Sequence, residues 1–252
     1  MTDDCSLDSP DKLWVCHLSC VSWSEPDRCI RYFAHVEEIF GARITHLDKN
    51  DPVRRRVKPG KLTEAADYVT LIGPREDSRW IFGRMESIGV EFTLRHYRDI
   101  QGWPNSINWY FPAGFADNAC GAKTIRSLFD CGNATLSPFY AYADTAGHVV
   151  SKKKESGSVN IQAELLGVFW LSYFDARYVT FIGRDKFDEL PDLHMQFDNG
   201  VTLDLERTPA LVSQGLRRQI EVKLGPKLFV EPKEMMPKRP GQYALTFEQL
   251  RA

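Results

Sequence analysis

Between Leu13 and Trp23 the sequence LWVCHLSCVSW alternates and is rich in Val, Trp and Cys, which predicts a strand. The next stretch, SEPDRCIRYFAHVEEIFG, changes period. Cys29, Ile30, Phe33, Val36 and Phe40 fall on one helical stripe, with Ser24 placed to cap, Pro26 suited to a first turn and Gly41 to a stop. ARITHLD predicts a second short strand. NDPVRRRVKPGK reads as a basic loop broken by Pro52 and Pro59, and LTEAADYVTLIG as a helix closed by Gly73-Pro74.

In VEFTLRHY (90–97), Val90, Phe92 and Leu94 alternate with Glu91, Thr93 and Arg95. NSINWYF (105–111) predicts a second strand, and the RDIQGWP connection makes the two antiparallel neighbours. NACGAKTIRSLFDCG is helical in period, with Ile125, Leu128 and Phe129 on one stripe and Gly132 as its end. SPFYAYAD (137–144) returns as a strand. TAGHVVSKKKESGS reads as a charged loop, and VNIQAELLGVFWLSYF as a helix.

The stretch GVFWLSYFDARYVTFIGRDKF (167–187) raises three options: membrane anchor, cofactor pocket or core. Asp175, Arg177, Arg184 and Asp185 interrupt it too often for a span. Asp175 suits the cap of a helix whose Tyr178, Val179 and Ile182 form one apolar stripe and whose stop is Gly183. Trp170, Leu171 and Phe174 suggest an earlier helical turn, and DKFDELP a later one ended by Pro191. The reading is core. Downstream, HMQFDNGVTLDLE places Asp198-Asn199-Gly200 between two alternating runs, the signature of a tight hairpin. Thr208-Pro209 then starts a helix through Val222, Gly225-Pro226 stops it, KLFVEP suggests a last strand and LTFEQLRA a terminal helical turn.

Helices and strands mix without a regular βαβ rhythm. The fold class expected is therefore α+β, with a mixed, largely antiparallel sheet packed with several helices. A chain of 252 residues fits one domain over residues 12–252 after a flexible tail (1–11), with a possible division into two subdomains near 144–158.

Composition narrows the function classes. A net charge of −2 gives no global field that draws in nucleic acid or anionic membrane. The start, MTDDCSLDSPDK, has neither the basic nor the apolar region of a signal peptide, so a cytoplasmic location is expected, with the six cysteines as free thiols. The five basic residues of RRRVKPGK suit a solvated loop or a partner contact, and without stacking aromatics they are a poor nucleic-acid site.

Chemistry is hard to place. Cys16, Cys20 and Cys29 with His17 suggest zinc, but on a strand Cys16 and Cys20 sit ~13 Å apart, too far for one tetrahedral ion. His35 in HVEEIF lacks the second histidine of a zinc-protease helix. Cys120, near a helix start, is the best-placed nucleophile, with His148 as a conceivable partner. Phosphate-binding glycine loops are absent. No catalytic, metal or cofactor-binding residue is assigned, and no cofactor is expected.

The order GVFWLSYF…YVTFIG…ELP, then DNGVTLDLE, then a helix and LGPKLF, resembles the C-terminal half of bacterial immunity proteins of polymorphic toxin and type VI secretion systems. The first half is similar in element order. The resemblance implies a non-catalytic protein that binds a cognate toxin domain and neutralises it by protein–protein contact, without nucleic acid or membrane. Its oligomeric state is open. Acidic loop tips are the expected contacts: Asp48 and Asp51 in DKNDP, and Asp198 and Asn199 in the hairpin. Two other readings stand beside it, an enzyme with a cysteine- or carboxylate-based site and a non-catalytic adaptor.

Overall fold

The computed structural model describes residues 9–23, 26–70, 77–97, 103–156, 161–190, 194–197, 200–230 and 243–251. Among these residues nine strands form one sheet: β1 (Leu13–Ser19), β2 (His46–Asp48), β3 (Ser78–Met85), β4 (Val90–Tyr97), β5 (Asn105–Phe111), β6 (Tyr140–Thr145), β7 (Leu171–Asp175), β8 (His194–Phe197) and β9 (Gly200–Asp204). Their order across the sheet is β2-β3-β4-β5-β1-β6-β7-β9-β8, antiparallel at every pairing. Among the described residues seven α-helices accompany them: α1 (Pro26–Phe40), α2 (Leu62–Thr70), α3 (Ala119–Leu136), α4 (Ala146–Ser156), α5 (Ala176–Ile182), α6 (Arg184–Asp188) and α7 (Gln214–Leu224). The protein is α+β.

Strand alternation explains how the layers are arranged. On β4, Val90, Phe92, Leu94 and His96 are buried, and Glu91, Thr93, Arg95 and Tyr97 are half-exposed. The buried side lies under α1: Phe33 meets Phe92 at 5.3 Å between ring centroids, and Trp109 Nε1 donates to the Tyr32 hydroxyl at 2.9 Å. The same face of β1 presents His17 to α3, where its Nε2 lies 3.1 Å from the Phe129 carbonyl oxygen. We call this the α3 face.

On β6 the sequence YAYAD sends Tyr140, Tyr142 and Asp144 to the other face, and Ala141 and Ala143 to the α3 face. Small alanines there leave room for a close helix. The tyrosine side is covered by α4, α6, α7 and the 165–170 segment. Tyr142 packs on Phe169 at 4.8 Å, Phe169 on His148 at 5.6 Å, and Arg217 pairs with Asp144. The α3 face is covered by helices in both halves, since Arg126 of α3 reaches Asp204 on β9, whereas the tyrosine side is covered only from β6 towards β8 among the described residues, and β6, near the centre of the sheet, is buried on both faces.

Several elements match the sequence pattern closely. α1 begins at Pro26 and ends before Gly41, and the Asp175 side chain accepts from Tyr178 N to cap α5, which stops at Gly183 with φ 104°. β8 and β9 form the expected hairpin, Phe197 opposite Gly200, while its tip lies outside the described residues.

Others differ, each for a visible reason. Residues 146–156 form α4, not a loop, because Ala146 and Val149 bury one short face and Lys152 reaches Glu221. Residues 166–170 are not helical. The N–H groups of Val168, Phe169 and Trp170 donate to Glu221 Oε1, Ser172 Oγ and Asp144 Oδ2, at 3.0, 2.9 and 3.0 Å. Three side chains thus replace helical carbonyls, satisfying a buried irregular backbone. Leu171 and Phe174 then belong to strand β7 rather than a helical turn.

α3 continues past Gly132 to Leu136, since that glycine provides close approach to His17 rather than a stop. The helix expected from Thr208 splits into a 3-10 turn (Pro209–Leu211) and α7, capped by Ser213. In the described part of KLFVEP, Lys227 and Leu228 belong to a 3-10 turn (Pro226–Leu228) and Phe229 makes a parallel bridge to Leu165 in place of the expected strand. Strand β3 was not marked by alternation, because Trp80 and Phe82 face one side and Ile81 and Met85 the other. The 167–187 stretch is core in its apolar positions, save the exposed Ala176 and Phe181.

Candidate functional site

The face of β3, β4 and β5 opposite α1 carries no helix among the described residues. Cross-strand registers put Trp80 beside Arg95 and Arg95 beside Ser106. Phe82, Thr93 and Asn108 make the next row, and Arg84, Glu91 and Tyr110 the third. Trp14 of β1 stands beside Tyr110 and closes the inner end.

Aromatic rings and arginine dominate this surface. The Arg95 guanidinium lies 4.8 Å from the Trp80 ring centroid and 4.6 Å from that of Tyr97. Trp80 stacks on Phe82 at 6.2 Å with planes 16° apart. Trp80 is 42% exposed, and Trp103, in the β4–β5 connection, is 53% exposed. Arg84 Nε donates to Glu91 Oε1 at 2.9 Å, which neutralises that row. Trp14 Nε1 donates to Asn108 Oδ1 at 3.0 Å, and burial pushes the Tyr110 phenol up to about 12, so it stays neutral.

Arg95 differs from its neighbour. It forms no ion pair among the described residues, and its Nε has no hydrogen-bond partner. A cation held between two rings is restrained in direction while its outer N–H groups remain available.

Beyond β2 the basic segment lines the edge. Leu47 N donates to the Arg55 carbonyl at 3.1 Å, Val57 N to that of Thr45 at 2.8 Å, and Arg56 bridges His46. Arg54, Arg55 and Arg56 are exposed. Asp48 organises the turn that leads there. Its Oδ1 accepts from Lys49 N and Asn50 N, and its Oδ2 from Arg54 N and Arg55 N, at 2.7–3.3 Å. Partial burial works to raise its carboxyl pKa, but the four donors outweigh it and the net direction is down. Asp48 is thus committed to its own backbone. Asp51 is exposed on the same loop, and Asp198 and Asn199 lie outside the described residues.

The thiols are not gathered. Cys16, Cys20 and Cys29 are buried, and burial raises Cys20 and Cys29 to about 12. Cys120 is exposed at the start of α3, whereas His148 packs on the opposite face of the sheet, its imidazole lowered to about 4 by burial and then by Arg217 and Lys152. The sheet therefore separates that pair. Among the described residues no group of three His, Cys, Asp or Glu side chains is placed to hold a metal ion, and no helix is long and apolar enough to cross a membrane.

Sequence reasoning favoured acidic loops and missed the β3–β5 face. Its one available signal was the pairing of outward Arg95 with an aromatic-rich neighbouring segment, visible only once β3 is recognised as a strand.

No family model matches the chain, and no curated protein matches it. Among solved structures, the Pseudomonas aeruginosa T6SS protein PA0821 is similar, with a TM-score of 0.61 and 11% identity over 95% of this chain and 80% of that one. At that identity the likeness is one of fold.

Proposed function

We propose that this chain is a non-catalytic, cytoplasmic immunity protein of a type VI secretion system, which binds a cognate toxin domain and neutralises it by contact. The observation that carries the reading is the β3–β5 face, which carries no helix among the described residues and where Trp80, Arg95 and Tyr97 stand together on the sheet. Trp, Tyr and Arg are the residue types that dominate binding energy at protein interfaces. The fold shared with a T6SS protein supports the setting, and the separation of Cys120 from His148 removes the best-placed nucleophile pair from competition.

The test is co-expression with the product of the adjacent upstream gene. Restored growth together with co-purification supports the reading. Toxicity that persists, with no complex, overturns it. A complex with a non-toxic product instead favours an adaptor.

A further inference from the structure

Resting on that binding reading, we propose that the β3–β5 face receives an acidic protein surface of the partner, with a carboxylate seated on Arg95. The charge on this face carries the argument. Arg84 is neutralised by Glu91 and His46 lies 3.7 Å from Glu86, but among the described residues Arg95 meets rings and no carboxylate, and Arg56 extends the positive charge along the β2 edge. A guanidinium already stacked on Trp80 and Tyr97 loses little further freedom on binding, and its fork suits a carboxylate bidentately. The exposed ring of Trp80 stands beside it as an apolar anchor.

The same arrangement disfavours other occupants. A second copy docking through this same face would set two arginine-bearing surfaces against each other. A nucleic acid, with a phosphate at every step, needs an extended basic track, which the Arg84–Glu91 pair and the Glu86 carboxylate interrupt, whereas a single carboxylate needs only Arg95.

Binding of the upstream gene product is measured by calorimetry at low and high salt for the wild type, Arg95→Glu, Arg95→Gln, Trp80→Ala and the distant control Arg218→Glu. Thermal melting of each variant checks its fold, and the neutral Arg95→Gln serves if Arg95→Glu folds poorly. The expected result is affinity that falls with salt, a loss of about 100-fold in Arg95→Glu, a smaller loss in Arg95→Gln and no change in Arg218→Glu. A wild-type complex that Arg95→Glu and Arg95→Gln leave unweakened overturns the Arg95 assignment and leaves the immunity reading intact. Absence of any wild-type complex overturns the immunity reading and the assignment with it. A single-stranded oligonucleotide is titrated in parallel. Its binding to the wild type, lost in Arg95→Glu, overturns the acidic protein occupant.

Discussion

Gly132 lies so close over the imidazole of His17 that a Cβ at position 132 would stand 2.2 Å from Nε2. The contact sets how near α3 sits to the sheet, and Ala141, paired with His17 on β6, keeps the neighbouring position small. Gly132→Ala is expected to destabilise the protein by about 1–3 kcal/mol through overpacking. Urea unfolding checks the value. In a His17→Ala background the same substitution should cost far less, because the clashing ring is gone.

The half-buried Asp130 and the buried His17 give stability opposite dependences on pH. Asp130 is raised from 3.8 to about 6, by burial first and then by Asp204, with Arg126 opposing. The folded state therefore holds its proton more tightly than the unfolded state, and this group adds stability as pH falls from above 6 towards 4. His17 is lowered from 6.5 to about 4 by burial, against the Phe129 carbonyl, and its contribution is complete above 6.5 and lost as pH falls to 4. His148 runs with His17. Asp130→Asn should melt higher than the wild type at pH 7.5 and converge with it near pH 4. Thermal melting across that range reads the difference, which cancels the histidines.

Arg217 is buried and donates to Asp144 Oδ2 at 2.7 Å and to the Val212 carbonyl at 2.5 Å. Its neighbour Arg218 is partly exposed, 3.7 Å from Glu221. Arg217→Ala leaves a buried Asp144 without its cation and should cost about 3–5 kcal/mol. Arg218→Ala should cost about 0–1 kcal/mol. Denaturant midpoints of the two variants separate the cases.

Asp48→Ala removes the acceptor of four backbone N–H groups. Amide exchange at Lys49, Asn50, Arg54 and Arg55 should accelerate about tenfold, on the scale of one hydrogen bond, while exchange in β4 stays unchanged. An accompanying loss of partner binding would trace to the loop's shape, since the Asp48 carboxylate is already occupied.

How much of this could be read in the sequence depended on where the partners lay. α1, α5, β4 and β5 were legible because their caps, stops and alternation are local. The 166–170 segment was not, since its three N–H acceptors come from residues 144, 172 and 221. α4 was obscured because only a short apolar face is buried and its lysines dominate the string. The candidate site was illegible for a related reason: Trp80 and Phe82 look like core residues until strand pairing with β4 shows that they point outward.

The seam between β1 and β6 has a consequence for dividing the chain. A break at residues 137–139, after α3, yields two pieces that each end in a bare strand edge, one offering β1 and the other β6 in matching register from Leu13–Thr145 to Leu18–Tyr140. Such pieces are mutual templates, and α3 adds a second latch through Arg126 and Asp204. The molecule is thus suited to fragment complementation, with reassembly of the two pieces reporting directly on the central ladder.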